Sequence, residues 1–206
     1  LVSADGKAVV YHDFHLKPEL TRKPDGLWLD SDGPPAIKDL QLADLKAYDV
    51  GRLKPGSRYS RRYPEQQASD GERIPTLREV IRLHKEQCDP ASQLWVEIKT
   101  TPEKPSLAPT PEAVSEKVVT ILRSEEISDR VRILSFDWRN LVHVQKIAPD
   151  IPTVYLSLEG VRLNNIKPGQ PGASPWMAGL DIDDFSGSIP HAIAASGGRF
   201  WAPYYK

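Results

Sequence analysis

Leu94-Trp95-Val96-Glu97-Ile98-Lys99, then Thr110-Pro111-Glu112-Ala113-Val114, then Val131-Arg132-Ile133-Leu134-Ser135-Phe136 is the stretch on which the fold turns. In the first segment Leu94, Val96 and Ile98 fall on one face of a strand, and Trp95, Glu97 and Lys99 on the other. In the second, Thr110 can cap a helix whose first position is proline, and Val114, Val118, Ile121 and Leu122 form its buried stripe. Val131 to Phe136 reads as the next strand. Strand, helix and strand in this order imply parallel pairing.

The alternation extends in both directions. Toward the C-terminus, Arg139 to Ala148 reads as a helix stopped by Pro149, and Thr153 to Ser157 as a strand. A Gly/Pro-rich excursion covers Leu158 to Gly187. Ile189 to Ala195 reads as a helix ended by Gly197-Gly198, and Arg199 to Tyr204 as a last strand. Toward the N-terminus, Thr76-Leu77-Arg78-Glu79 is a capping box, opening a helix with Leu77, Val80, Ile81 and His84 on one side. Ala8-Val9-Val10-Tyr11, after the Asp5-Gly6 turn, reads as a buried strand.

Between these lies a polar stretch, residues 17–73, in which only Leu40 to Tyr48 shows helical spacing. A compact domain does not carry a structureless loop of that length, so it reads as an inserted cap. Five strands interleaved with helices suit either a doubly wound sheet or an eight-stranded barrel. No Gly-rich phosphate loop follows the first strand, which favours the barrel, with residues 1–206 as one domain.

The bulk numbers narrow the function classes. With 27 Lys and Arg against 28 Asp and Glu, the formal charge is -1, unlike the basic balance of a nucleic-acid binder. No apolar run approaches the roughly 20 residues of a membrane helix. The single cysteine, Cys88, excludes an internal disulfide framework and a four-cysteine zinc site. Nothing in the sequence sets the oligomeric state.

In a barrel the reactive groups sit at the C-terminal ends of strands. His12, the Glu97 and Lys99 pair, Asp137 and Tyr204 all fall there. His12 can exchange a proton near neutral pH, Glu97 can hold a hard divalent cation, and Lys99 can pair with a phosphate oxygen. These are the parts needed for phosphoester hydrolysis. Asp137 either serves the site or caps the following helix. Trp201 and Tyr204, on the last strand, are candidates for a substrate-facing wall, whereas Trp28 and Trp176 suit packing. His12 and His15, three apart on a strand, face opposite ways and make no zinc pair. Asp181, Asp183 and Asp184 lack the glycine and glutamate of a calcium loop. Arg58, Arg61 and Arg62 read as a solvated face of the cap.

The combination Ser3-Ala4-Asp5-Gly6-x-x-Val9-Val10-x-His12-Asp13, Ile74-Pro75-Thr76-Leu77-x-Glu79-Val80 and Glu97-Ile98-Lys99 resembles the glycerophosphodiester phosphodiesterases. Leu20-Thr21-Arg22, Tyr48-Asp49-Val50-Gly51 and Ser135-Phe136-Asp137-Trp138-Arg139 are similar to the longer bacterial members. The resemblance implies a (β/α)8 barrel of the phospholipase-C-like type, with an insertion after the His-Asp strand. It implies hydrolysis of small glycerophosphodiesters to glycerol 3-phosphate and an alcohol, with Mg²⁺ or Ca²⁺. On it, His12 matches a catalytic histidine acting as general acid, Glu97 a metal ligand and Lys99 a phosphate-binding residue. Asp13 would orient His12 or the metal's water.

The family's His-Arg dipeptide and Glu-x-Asp motif are not found in this sequence, nor is its Trp-Thr-x-Asn-like last strand. The chain is therefore expected to be an internal piece of such a barrel, from the end of the second strand to the seventh. Alone, it would be inactive and would expose two sheet edges. A headgroup lyase forming a cyclic phosphate and a catalytically silent barrel are the alternatives. Export to the periplasm or beyond follows from the likeness to longer bacterial members, with the cytoplasm as the other possibility.

Overall fold

A computed structural model describes residues 1–160 and 164–204. Residues 161–163, within the expected Gly/Pro excursion, lie outside the described residues. The chain divides by its contacts into two units, Leu1–Val80 and Ile81–Lys206.

In the first unit, Val9, Leu16, Leu29, Ile37, Leu45 and Ile74 form a buried cluster, with Tyr11, Leu42 and Tyr48 packed against it. Helix α1 (Leu42–Ala47) supplies Leu42 and Leu45 from one side, as their spacing predicts, and Asp44 accepts from the Gln41 N–H at 3.2 Å to close its first turn. Helix α2 (Arg58–Arg62), not foreseen in the sequence, is capped by Ser57, whose hydroxyl accepts from the Ser60 N–H at 3.1 Å. Helix α3 (Leu77–Gln87) opens on the capping box expected of it. The Glu79 N–H donates to the Thr76 hydroxyl at 3.2 Å, and the Glu79 carboxylate accepts from the Thr76 N–H at 2.7 Å.

The Ala8 to Tyr11 segment departs from its expected role. It forms two single antiparallel bridges, Val2 with Ala8 and Val9 with Thr76, and joins no parallel sheet. The Asp5-Gly6 turn explains this: with Gly6 at φ 72° the chain folds straight back, so Ala8 meets Val2 as a tight hairpin. Val10 then donates to the Pro75 carbonyl at 2.8 Å and leaves its side chain exposed.

Charge holds the loops of this unit. The Arg22 guanidinium bridges Asp49 and Asp70, and Arg52 donates to both oxygens of Asp70. Burial by itself would raise the Asp49 carboxyl. The backbone N–H groups of Gly51 and Gly71, each 2.9 Å away, and Arg22 outweigh that and hold it below the usual carboxylate range.

In the second unit, β1 (Leu94–Glu97), α4 (Pro111–Ser124), β2 (Val131–Ser135), α5 (Trp138–Ile147), β3 (Thr153–Ser157), α6 (Ile189–Ala195) and β4 (Phe200–Pro203) follow in strict alternation. All pairs are parallel, and the sheet order is β1-β2-β3-β4. Four strands, not five, therefore make the parallel sheet among the described residues. The order never reverses. A doubly wound sheet changes direction at a switch point, so sequential addition is the barrel's winding, here in an open, incomplete sheet.

Helices α4 and α5 bury Val114, Val118 and Leu122 with Leu141 and Val144, burial worth about 1.5–3 kcal/mol for each large side chain. No helix among the described residues is long and apolar enough to cross a membrane.

Two outcomes are expected. A Cβ on Gly198 would lie 2.4 Å from Tyr155 and 2.6 Å from Ile193, so Gly198→Ala should lower stability by about 1–3 kcal/mol in urea titrations. Because the folded Asp49 carboxyl titrates below its unfolded value, its contribution is complete above about pH 4 and fades as the pH falls through the folded value. Asp49→Asn should therefore flatten the loss of stability measured between about pH 5 and 3.

Candidate functional site

His12 stands just past the hairpin segment, with its side chain 77% exposed and Nδ1 3.3 Å from Asp13 Oδ2. Lys17 Nζ approaches the same oxygen at 3.3 Å. The Lys17 N–H donates to the Tyr11 hydroxyl at 2.9 Å, and burial pushes that phenol up, so it stays a neutral acceptor. The neighbours His12 and Asp13 are thus in contact, within the first unit.

Glu97 ends β1, and Lys99 follows two residues on. Their shared strand face is confirmed by an ion pair, Nζ to Oε1 3.7 Å, both side chains about a quarter exposed. The Ile98 N–H donates to the Leu134 carbonyl at 2.9 Å, so β2 continues to fix the backbone between the two charged residues. The next residue, Thr100, is buried and reaches into a polar network.

That network centres on Asp137, which is 1% exposed. Its carboxylate accepts from the Arg139 N–H at 3.2 Å, capping α5, and from the Arg139 guanidinium at 2.8 and 2.6 Å. It also accepts from the Thr100 hydroxyl at 2.6 Å. Asn140 donates to Thr100 at 2.7 Å and to the Ser135 hydroxyl at 3.2 Å, while Ser135 donates to the Ile98 carbonyl at 2.8 Å. Asp137 therefore does cap the helix, and the same atoms anchor the end of β1 that carries Glu97 and Lys99. The Asp137 carboxylate in turn holds the Arg139 guanidinium above its ordinary value.

Pairing register sorts the remaining candidates. Trp95 is opposite Arg132, Leu134 opposite Val154, and Val154 opposite Phe200, so Glu97, Leu134, Leu156 and Ala202 share one face. Trp201 is opposite Tyr155, on the other face. It donates to the Ser157 hydroxyl at 2.9 Å, alongside a Tyr155 ring packed edge-on against Trp138 of α5. The register thus places Trp201 on the face opposite that of Glu97. Tyr204 follows β4 with its side chain 57% exposed and its N–H on the Ser157 carbonyl at 2.8 Å.

Thr100, Ser135, Asn140 and Asn165 were not among the residues expected from the sequence. The fully buried Asn165 amide donates to the Phe136 and Leu156 carbonyls at 2.9 and 3.0 Å, and its oxygen accepts from Leu158. It laces the ends of β2 and β3 together. A lone Asn in a Gly/Pro stretch carries no such signal. Trp176 is buried, as packing predicts. Asp181 and Asp183 are spent on turn N–H groups of Asp183 and Gly169.

Removing the Asp137 carboxylate leaves the Thr100 hydroxyl and one face of Arg139 unanswered. Asp137→Ala should cost about 2–3 kcal/mol in chemical denaturation, discounted because Arg139 is partly exposed. The Thr100 and Ile98 amides should exchange faster with deuterium in the variant than in the parent.

Comparison with known proteins bears on this arrangement. Residues 1–178 match the glycerophosphoryl diester phosphodiesterase family. A curated glycerophosphodiester phosphodiesterase from Caldanaerobacter subterraneus subsp. tengcongensis is 28% identical over 185 residues, covering 90% of this chain and 59% of that protein. The solved structure of a candidate glycerophosphoryl diester phosphodiesterase from Silicibacter pomeroyi is 31% identical with a TM-score of 0.81, covering 99% of this chain and 63% of that one. An Oleispira antarctica phosphodiesterase, solved with the product sn-glycerol-3-phosphate, shares the fold at 22% identity and a TM-score of 0.56, covering 100% of this chain and 70% of that one. The chain thus spans about three-fifths of the length of the first two relatives. With the family's pattern running through most of its length, this chain belongs to the glycerophosphoryl diester phosphodiesterase family.

Proposed function

We propose that the protein hydrolyses glycerophosphodiesters to glycerol 3-phosphate and an alcohol, with His12 as general acid and Lys99 on the phosphate. Family membership over residues 1–178 carries this proposal. What supports the residue roles is the setting of each side chain within its own unit. The His12 ring is exposed and contacts a carboxylate through Nδ1. The Lys99 ammonium is held at a strand end by Glu97.

The chemistry follows from these groups. A phosphodiester carries negative charge on its non-bridging oxygens, and Lys99 offsets part of it as the attacking oxygen approaches. The oxygen of water forms the new P–O bond while the bond to the alcohol breaks. Protonated His12 gives its proton to the departing alkoxide, and a water proton replaces it. Asp13 faces Nδ1, so Nε2 is the nitrogen we assign to that transfer.

Mg²⁺ or Ca²⁺ is the cofactor we propose, with Glu97 as one ligand. Such ions take six or more oxygen ligands, usually including several carboxylates. Among the described residues no group of three or more His, Cys, Asp or Glu side chains converges, and the Glu97 carboxylate faces an ammonium. These residues do not make up a full ligand set.

A phosphorus NMR assay with glycerophosphoethanolamine and Mg²⁺ tests the proposal. Glycerol 3-phosphate should appear as a linear monoester. His12→Ala should slow its release by about 10²–10⁴-fold, and Lys99→Met should lower kcat/KM by at least tenfold. A cyclic phosphate as final product would overturn hydrolysis in favour of a lyase. No turnover of any glycerophosphodiester would match the inactivity expected of a barrel piece and overturn hydrolysis by these residues alone.

A further inference from the structure

The segment after His12-Asp13 is gripped by helix α2 of the 17–73 stretch. Lys17 Nζ donates to the Tyr59 hydroxyl at 3.0 Å and lies 5.3 Å from the centre of that ring. The same ammonium is 3.3 Å from Asp13 Oδ2, the oxygen that faces His12 Nδ1 at 3.3 Å. Two further bonds fasten α2 and the loop before it to this segment. The Arg58 N–H donates to Glu19 Oε1 at 3.0 Å, and the Lys54 N–H to the Glu19 carbonyl at 2.9 Å. On the other side, the Lys17 backbone is held by Tyr11. Burial alone would lower the Lys17 ammonium; the Tyr59 hydroxyl and the Asp13 carboxylate outweigh it and hold it above its ordinary value.

We propose that Lys17, seated on Tyr59, is a positioning residue. It fixes the Asp13 carboxylate and, through it, the His12 imidazole, so that α2 sets the orientation of the proton donor. The physical reason is competition for one atom. Oδ2 receives both the ammonium and the imidazole, so Asp13 cannot rotate toward either without losing the other. An exposed histidine has many rotamers, and a carboxylate tethered from behind selects among them. Tyr59 contributes hydroxyl and ring face together, which explains why a residue 42 positions away serves a lysine that solvent would otherwise claim. Orientation matters because a misplacement of about 1 Å in a reacting group can cost up to about 10²-fold in rate.

The catalytic part of this inference rests on the phosphodiesterase proposal, whereas the positional part does not. The experiment separates them with Lys17→Met, Lys17→Arg and Tyr59→Phe in the full chain. Imidazole ¹⁵N resonances of His12 report the ring's protonation and contacts directly. They should move in Lys17→Met and Tyr59→Phe and return toward the parent in Lys17→Arg. On glycerophosphoethanolamine, Lys17→Met should lower kcat about tenfold with KM unchanged, and Lys17→Arg should recover most of it. Identical His12 resonances in the parent, Lys17→Met and Tyr59→Phe would overturn the inference, and so would an effect confined to KM. Moving resonances in a chain without turnover would uphold the positioning role and count against the phosphodiesterase proposal alone. Tyr59→Phe, which keeps the ring and its packing, guards against a loss of folding being mistaken for either result.

Discussion

A carboxylate taken out of water must be answered by donors, and in this chain the answer to Asp137 organises the second unit. Its partners come from two elements: the Thr100 hydroxyl beyond β1, and the start of α5, where Arg139 gives both its N–H and its guanidinium. Parallel strands end with carbonyls and side chains at one level, and nothing in the ladder itself holds the residues just past the last pairing. Asp137 does so for β1, while Asn165 does so for β2 and β3. Half-satisfied networks of this type are costly, whereas complete ones specify a single arrangement. The completeness of this one fixes the backbone just beyond Glu97 and Lys99.

Much of the second unit was legible in advance because its signals are local. Thr153 to Ser157 appears where the β-branched run predicts it, α6 begins at Ile189, and Thr110 caps α4 through the Ala113 N–H. Each of these depends on neighbours within four residues. Thr100 and Asp137 were harder, being 37 positions apart; Asp137 is readable as a cap, but its second partner is not. Trp201 shows the same limit in register. One residue separates the face of Phe200 from that of Trp201, and only the pairing register reveals which one shares the face of Glu97.

The first unit was less legible for a different reason. Ala8 to Tyr11 has the composition of a strand, and composition does not say whether a partner runs parallel or antiparallel. The Ser3–Gly6 turn is the deciding evidence, since a three-residue reversal with Gly6 left-handed forces the chain against its own preceding residues. Much of the 17–73 stretch is held by polar contacts that have no periodicity. Arg22 to Asp49, Arg52 to Asp70 and Lys17 to Tyr59 join residues 18 to 42 positions apart. Charge ladders of this kind emerge only from the folded chain.

The Glu97 and Lys99 pair follows from the same logic of strength. At 3.7 Å and partly exposed, it contributes on the order of 1 kcal/mol or less once solvent competes. A tighter, dehydrated pair would stabilise the strand end more, but it would also resist separation. On the proposed chemistry, Lys99 must turn from Glu97 to an incoming phosphate, and a weak pair lets that exchange proceed at small cost. The rigid part of the arrangement is the backbone below, held by Ile98, Thr100 and Asp137. Mobility is left to the two side chains whose charges have to be reassigned. On the proposed chemistry, that division would present the charged side chains to a diester from a fixed strand end.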